Sequence, residues 1–281
     1  MGNDSFHPLL SPDKAKKLIK SAIKEGIKSF DTAFSYKNAD TLLSAALKEA
    51  NVERENIELI SKVMPVPTLE KKTETILRRI NTEYLDVLLL HWPSDNESVY
   101  QGLKRLEKLQ QNSKVKEIGV SNFPLQLLEK VISDFEITIH ERPLSLIWPR
   151  WYEEEKKLNI RLYCYAPLAM GVLAKDRDFI PSDSRKELYI YKNGIDEYNR
   201  LRDIIDQIKQ ETSLTYAEIS YSWIISKAPD GIIFGASRAD QIPQLENKLS
   251  NEQIEKLDIA SVNLCQMSKE DNIFSHNYLI R

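Results

Sequence analysis

Four polar residues recur at a near-constant interval along this 281-residue chain. Asp31, Lys62, His91 and Ser121 each close a short apolar or β-branched run, and the intervals between them are 31, 29 and 30 residues. Tyr36 follows Asp31 in the segment SFDTAFSY, which fits neither a regular strand nor a regular helix. A carboxylate, an ammonium, an imidazole and a phenol brought to one place form a set that can move a proton.

Tyr36 is the candidate proton donor of this set. A free tyrosine has a pKa of about 10, which is too high for ready proton donation at neutral pH. Because an ammonium favours the phenolate, we expect Lys62 to lower the pKa of Tyr36. Asp31 would hold Lys62 charged and aimed, and His91 would orient a carbonyl oxygen beside the phenol. This arrangement suits protonation of an oxygen whose carbon receives a hydride.

Each of these residues also has an ordinary structural explanation when it is taken alone. Asp31 would cap a turn after a strand, and Lys62 would be a solvated cation. His91, within LLLHWP, would be a hydrogen-bonded core residue, and Tyr36 alone indicates almost nothing. Taken together, their shared spacing gives the functional interpretation the same weight as the structural one.

The elements that must position these residues alternate between strand and helix. Amphipathic stretches with apolar residues at i, i+3, i+4 and i+7, such as TLEKKTETILRRI, separate short apolar runs. The runs predict seven strands: IKSFDT, NIELISKV, YLDVLLLH, VKEIGVS, ITIHE, IRLYCYA and GIIFGA. Alternation of this kind predicts a parallel α/β fold, either a doubly wound sheet or a (β/α)8 TIM barrel. In a barrel, the carboxyl ends of all strands open at one mouth, where Asp31, Lys62 and His91 would converge.

Length and composition narrow the class of protein. Single α/β barrels of about 250 residues are common, so we expect residues 1–281 to form one barrel domain. The 39 basic and 42 acidic residues are mixed along the chain, which argues against a nucleic-acid partner. The sequence has no membrane-span or signal-peptide pattern, and its two cysteines are far apart, so we expect a cytoplasmic protein. Neither GxGxxG nor a P-loop occurs, and no cluster of metal-ligand carboxylates is evident.

Five motifs together resemble the aldo-keto reductase family. In family order they are GIKSFDTAFSY, ISKV, YLDVLLLHWP, EIGVSNF and YAPLAMG, and with the segment at 235–241 the resemblance runs from about residue 20 to residue 241. The resemblance implies a (β/α)8 barrel that reduces aldehydes or ketones with NADPH. The family's tetrad falls on Asp31, Tyr36, Lys62 and His91, with Tyr36 as general acid. Trp92 falls where the family lines its substrate pocket with an aromatic side chain.

The resemblance also implies a site for the nicotinamide half of NADP(H). Ser121 and Asn122 match the pair that holds the carboxamide, although both also suit the cap of the helix PLQLLEKVI. Tyr165 matches the tyrosine that stacks on the nicotinamide ring, and Leu168 matches a backbone contact to the pyrophosphate. Ala166 stands where many members have serine.

The segment GASRADQ at 235–241 resembles the family's adenosine end, with Ala236, Ser237, Arg238 and Gln241 as candidate cofactor residues. Ser237 is predicted to begin the last barrel helix, where unpaired N–H groups and the helix dipole favour phosphate. Arg238 is placed for a 2′-phosphate, which favours NADPH over NADH. A capping box of Ser237 with Asp240 is the structural alternative.

The start of the chain departs from the family pattern. The helix that begins near Ser11 is already the family's first helix, so the N-terminal hairpin and first strand are expected to be truncated. Met1 and Gly2 would be a remnant of that strand, or residues 3–8 would replace it. An unclosed barrel edge would be one reason for the chain to form an oligomer.

The cofactor end departs from the pattern as well. The family's glutamine after the Ser-Asn pair has no clear equivalent; His140 or Glu141 lies nearest, and a glutamate would bring negative charge towards the carboxamide. The family's adenine-binding pair falls on Gln244 and Leu245, and Pro243 predicts a distorted or shortened last helix.

Three functions remain open at this level. The first is an NADPH-dependent oxidoreductase acting on small carbonyl compounds, or in reverse on alcohols. The second is a catalytically degenerate barrel that keeps NADP(H) as a structural or sensing ligand, and the third is another barrel enzyme such as a sugar isomerase or aldolase. The complete tetrad favours the first, because loss of selection would be expected to spoil one of its four residues.

Overall fold

The computed structural model describes residues 10–36 and 38–268. Met1, Gly2 and residues 3–8, which bear on the expected truncation, lie outside these ranges. The described residues fall into two compact units, one within Met1–Glu141 and Gly235–Ile242, the other within Arg142–Phe234 and Pro243–Arg281. Over the two described ranges, none of the helices has the length and apolarity that a bilayer crossing requires.

The first unit alternates strands and helices, as the sequence predicts. Its strands are β1 (Ser29–Asp31), β2 (Glu58–Val63), β3 (Leu85–Leu90), β4 (Val115–Ser121) and the start of β5 (Ile139–Pro143). Its helices are α1 (Pro12–Lys24), α2 (Ala39–Glu49), α3 (Leu69–Ile80), α4 (Asn96–Gln111) and α5 (Leu125–Asp134). Each strand pairs in parallel with the next, in registers that include Asp31 with Ile60 and Ser121 with Glu141.

Local sequence accounts for these elements. The run LDVLLL of β3 is buried along almost its whole length, as expected for a parallel strand covered on both faces. Helix α1 begins where predicted, because the Ser11 side chain caps the N–H of Lys14 and Pro12 occupies the first turn. Helix α4 begins in the same way at Asp95, which accepts a hydrogen bond from the N–H of Ser98.

The second unit has its own apolar core and contains the last two strands. Strands β6 (Arg161–Tyr165) and β7 (Gly231–Ile233) pair in parallel. The helices are α6 (Tyr152–Glu155), α7 (Ile195–Thr212), α8 (Tyr216–Ser226) and α9 (Asn251–Gln266). Trp148 and Trp223 are among its largest fully buried side chains. Between β6 and α7, the segment 176–192 has two short 3₁₀ turns as its regular structure.

The seven strands of the described chain follow one another in the sheet in the order in which they occur in the sequence. All seven predicted strands are present, with ends shifted by a few residues. This order is the one that repeated βα units predict.

Candidate active site

A buried ion cluster occupies the carboxyl ends of the strands in the first unit. Asp31 is the last residue of β1, and Lys62 is the penultimate residue of β2. The Lys62 ammonium donates to a carboxylate oxygen of Asp31 and to the carbonyl oxygen of Thr32 at 3.2 Å. It also lies 3.1 Å from Glu141 Oε2 on β5. The side chains of Lys62 and Glu141 are almost fully buried, so these charges meet with little water between them.

The cluster fixes the charge of Lys62. Burial alone would lower the pKa of its ammonium, but the negative charges of Asp31 and Glu141 outweigh burial and raise that pKa above its ordinary value. For Glu141 a raised pKa favours the neutral form instead. Burial, together with the nearby Asp31 charge, raises the pKa of the Glu141 carboxyl well above its usual range.

Tyr36 lies beside this cluster, in the loop after β1. Its N–H donates to the carbonyl of Ala33, and its own carbonyl accepts from the N–H of Ala39 at the start of α2. The Lys62 ammonium is 5.6 Å from the centre of the Tyr36 ring. The Tyr36 and His91 rings meet edge to face, with their centres 5.7 Å apart. The structure therefore brings the four residues of the predicted tetrad together.

The pKa of Tyr36 differs from the sequence-based expectation. Lys62 does act to lower it, as expected, but burial of the phenol has the larger effect and raises the pKa to about 12. Asp31 and Glu141 add to that rise through their negative charges. Without a ligand, Tyr36 is therefore a protonated phenol across the neutral range, which is the form that a proton donor needs.

His91 directly follows β3 and is held through its main chain. Its N–H donates to the carbonyl of Val63, and its carbonyl accepts from the Asn122 side-chain amide at 3.0 Å. Burial, helped by the positive charge of Lys62, lowers the pKa of His91 to about 3. The imidazole is therefore neutral at physiological pH and offers one N–H donor rather than a charge. Trp92, the next residue, is half-buried.

Ser121 and Asn122 form a second polar group beside the tetrad. The Asn122 amide nitrogen also donates to Ser121 Oγ at 2.9 Å, and Asn122 adopts a left-handed backbone conformation with φ of 65°. The predicted capping of the following helix is wrong, because α5 begins after Pro124 without a side-chain cap. The side chains of Ser121 and Asn122 are instead directed to each other and to the His91 carbonyl. The Ser121 hydroxyl accepts from Asn122, and its own proton can be donated to a ligand.

The sequence did not reveal the contact of Glu141 with Lys62. The register of β4 and β5 sets Glu141 beside Ser121, and the N–H of Asn122 donates to the Glu141 carbonyl at 3.0 Å. His140, the other residue considered for this position, accepts a hydrogen bond from the N–H of Phe123 through Nε2. The Glu141 side chain reaches the ion cluster through its contact with Lys62. Its place at the end of the fifth predicted strand was the available signal.

The segment around Ser237 is not the start of a long helix, so that prediction is wrong. Ser237 is followed by a 3₁₀ turn over Ala239–Gln241 that ends before Pro243. Proline lacks an N–H and biases the preceding residue towards extended backbone, so a helix cannot continue through this point. In place of the capping box considered for Ser237 and Asp240, Ser237 is paired with Gln241. Gln241 Oε1 accepts from the Ser237 N–H at 2.8 Å, from Ser237 Oγ at 2.9 Å and from the Arg238 N–H at 3.2 Å.

These donors suit an anionic group. Their three hydrogen bonds converge on the single oxygen Gln241 Oε1. The Arg238 guanidinium lies on the same turn, paired with the Asp240 carboxylate at 3.0 Å. Arg238 and Asp240 are both well exposed, so exchange of that pairing for a phosphate costs little. Ala236 precedes this turn and lies partly exposed.

Two further predicted cofactor residues belong to the second unit. Tyr165 is the last residue of β6, and its carbonyl accepts from the N–H of Leu144 at 3.1 Å. Ala166 has a positive φ of 54°, and the Leu168 carbonyl accepts from the N–H groups of Gly171 and Leu173. The roles of Tyr165 and Leu168 in cofactor binding stay predictions.

The sequence profile of the Aldo/keto reductase family matches residues 3–266 of the chain. The chain therefore belongs to the aldo/keto reductase family. Among its curated relatives is the glyoxal reductase of Bacillus subtilis (strain 168), which is 35% identical over 171 residues. That match covers 57% of this chain and 60% of the relative, so the chain spans less than two thirds of the relative's length.

Solved structures of the family share the fold. A glycerol dehydrogenase from Gluconobacter oxydans superimposes with a TM-score of 0.78 at 22% identity, covering 89% of this chain and 86% of that one. An aldo/keto reductase from Klebsiella pneumoniae, solved in complex with NADP and acetate, has a TM-score of 0.70 at 22% identity, covering 91% and 87%. These likenesses, with the strand order above, confirm the predicted (β/α)8 barrel fold class.

Proposed function

We propose that this aldo/keto reductase reduces small aldehydes or ketones to alcohols with NADPH, with Tyr36 as the general acid. The observation that carries the proposal is the meeting of a protonated phenol and a neutral imidazole beside a buried, charged lysine. A carbonyl oxygen between Tyr36 and His91 would meet two neutral N–H or O–H donors. Such donors stabilise the negative charge that develops on the oxygen as its carbon is reduced.

Each residue of the tetrad has a defined part in this reaction. Tyr36 gives its proton to the carbonyl oxygen, and the Lys62 charge stabilises the phenolate that is left. Asp31 keeps Lys62 in place through their ion pair. His91 donates its ring N–H and orients the carbonyl, and the half-buried Trp92 is proposed to line the pocket. The same residues serve alcohol oxidation when the proton moves in reverse.

The residues assigned to the cofactor suit the chemical groups of NADP(H). When bound, it would supply or accept the hydride. Ser121 and Asn122 offer polar contacts for a carboxamide, and Tyr165 and Leu168 are assigned to the ring and the pyrophosphate. The donors of Ser237, with the Arg238 side chain, offer an anion site for a 2′-phosphate, and Ala236 and Gln241 flank it. The complex of the Klebsiella protein with NADP supports NADP(H) as the cofactor.

Substitution of Tyr36 by phenylalanine tests the proposal. It removes only the phenol oxygen, so we expect NADPH binding to persist while turnover of a small aldehyde such as glyoxal falls by about 10²–10⁴-fold. The name of the Bacillus subtilis relative motivates the choice of glyoxal. Tyr100→Phe is the matched control, because it also removes one phenol oxygen. Tyr100 lies on α4, outside the tetrad, and its phenol donates to Asp134.

Fluorescence titration with NADPH and steady-state rates would be measured for all three proteins. Unchanged turnover in Tyr36→Phe would reject the general-acid role. Absence of NADPH binding by the unmodified protein would reject the reductase function itself.

A further inference from the structure

Lys62 contacts a second carboxyl group, that of Glu141, in addition to Asp31. An ammonium has three N–H donors, and those of Lys62 meet Asp31, the Thr32 carbonyl and Glu141 Oε2. The other carboxylate oxygen, Glu141 Oε1, is buried and accepts no hydrogen bond from the residues that the structure describes. Glu141 is therefore anchored through one oxygen, while the second remains unsatisfied inside the site.

Glu141 sets the net charge of the cluster. Asp31 and Lys62 offset each other, while Tyr36 and His91 are neutral, as their pKa values of about 12 and about 3 require at neutral pH. Burial and the Asp31 charge raise the pKa of Glu141 well above its usual range, so its neutral form is favoured until a positive charge enters the site. Ionisation of Glu141 would leave the cluster with one uncompensated negative charge. A buried charge of this kind acts strongly on any charge that enters nearby, because little water screens it.

The group most affected is the nicotinamide ring of the cofactor. On the proposed function, hydride passes between this ring and a carbonyl carbon held by Tyr36 and His91, so the ring must reach the same mouth. Glu141 is also the register partner of Ser121, the residue assigned to the carboxamide. The ring carries a positive charge in NADP⁺ and none in NADPH, so an uncompensated carboxylate attracts only the oxidised form.

We propose that Glu141 is a specificity-determining residue that makes this site bind NADP⁺ in preference to NADPH. The inference rests on the proposed function. A cation entering the site favours the ionised form of Glu141 and offsets the repulsion between that carboxylate and Asp31. The same attraction stabilises the positive charge that develops on the ring as hydride leaves it.

Substitution of Glu141 by glutamine is the direct test, because glutamine keeps the shape of the side chain and removes its charge. Dissociation constants for NADP⁺ and for NADPH would be measured by calorimetric titration at pH 8. We expect the ratio Kd(NADPH)/Kd(NADP⁺) to fall by about tenfold in Glu141→Gln. Glu136→Gln is the matched control; it makes the same change in net charge at an exposed position five residues before Glu141, and its ratio should equal that of the unmodified protein.

An unchanged ratio in Glu141→Gln, with both constants measurable, would overturn the inference and leave the proposed reductase function standing. Failure of the unmodified protein to bind either form would overturn both. If Glu141→Gln does not fold, as judged by near-ultraviolet circular dichroism, Glu141→Met provides the same readout. Methionine has a similar volume without charge, and apolar replacement of a buried ionic group is often tolerated.

Discussion

At the scale of single residues, one buried ammonium acts on several neighbours with different outcomes. Lys62 lowers the pKa of both His91 and Tyr36, but burial acts with Lys62 at the imidazole and against it at the phenol. Burial favours the neutral form in each case, since it penalises any charge. The site therefore holds two neutral donors beside a permanent cation.

The neutrality of His91 predicts a pH-dependent stability. Its pKa is about 3 in the folded protein and 6.5 in the ordinary range of an unfolded chain. Between these values the unfolded chain binds a proton that the folded protein does not, so the free energy of unfolding falls as pH falls below 6.5. From pH 7 to pH 5 this effect amounts to about 2 kcal/mol. His91→Gln cannot titrate and should lack this part of the loss.

Urea unfolding of the unmodified protein and of His91→Gln at pH 7 and pH 5 would measure the effect. The unmodified protein should lose about 2 kcal/mol more than the variant over this interval. Equal losses would mean that His91 is accessible to protons in the folded protein, and the neutral-donor role would have to be abandoned.

At the scale of elements, the site depends on where strands end and on how closely they approach. Gly119 lies on β4, two residues before Ser121, and its register partners are Leu89 on β3 and Ile139 on β5. A methyl group at Gly119 would lie 2.6 Å from Leu89 Cδ2 and closer still to the Ile139 carbonyl oxygen. Glycine is therefore required here by close approach of the neighbouring strands.

Gly119→Ala should destabilise the protein and weaken cofactor binding together. Overpacking of this kind lowers the free energy of unfolding by about 1–3 kcal/mol. The strain also falls between the strands that carry Ser121 and Glu141, so the Kd for NADPH should rise. Gly235→Ala is the control for stability alone, because its methyl group would meet no atom within 4 Å but Gly235 belongs to the segment assigned to the cofactor. Urea unfolding and NADPH titration measure both effects; a Gly119→Ala protein as stable as the control would contradict the packing argument.

At the scale of the whole molecule, periodicity in the sequence is enough to predict most of the architecture. The strands, the helix at Ser11 and the convergence of the tetrad all result from local pattern and from the parallel alternation of elements. Periodicity does not predict the outcome of competing tertiary effects. The net rise in the pKa of Tyr36 depends on burial, and the contact of Glu141 with Lys62 depends on strand register.

The turn after Ser237 shows the same limit for local structure. Pro243 signalled a disturbed helix, and the structure shortens it to three residues. The sequence could not predict that Gln241 would fold back onto Ser237, because that contact requires the turn itself. On the proposed function, phosphate recognition at this segment would rest on side chains and on single N–H groups rather than on the dipole of a long helix.

Binding of the cofactor should stabilise the folded chain as a whole, and Arg238 should decide which cofactor does so. A ligand at 100 times its Kd adds about 2.7 kcal/mol to the free energy of unfolding, which for a chain of this size raises Tm by about 5 °C. We expect NADPH to give this shift and equimolar NADH a smaller one, because only NADPH carries the 2′-phosphate that we propose pairs with Arg238. In Arg238→Ala the two shifts should become equal. Arg200→Ala is the matched control, since Arg200 is another exposed arginine paired with a nearby carboxylate, Glu197. Differential scanning fluorimetry with both cofactors would measure the shifts, and a difference that persists in Arg238→Ala would place recognition of the 2′-phosphate elsewhere.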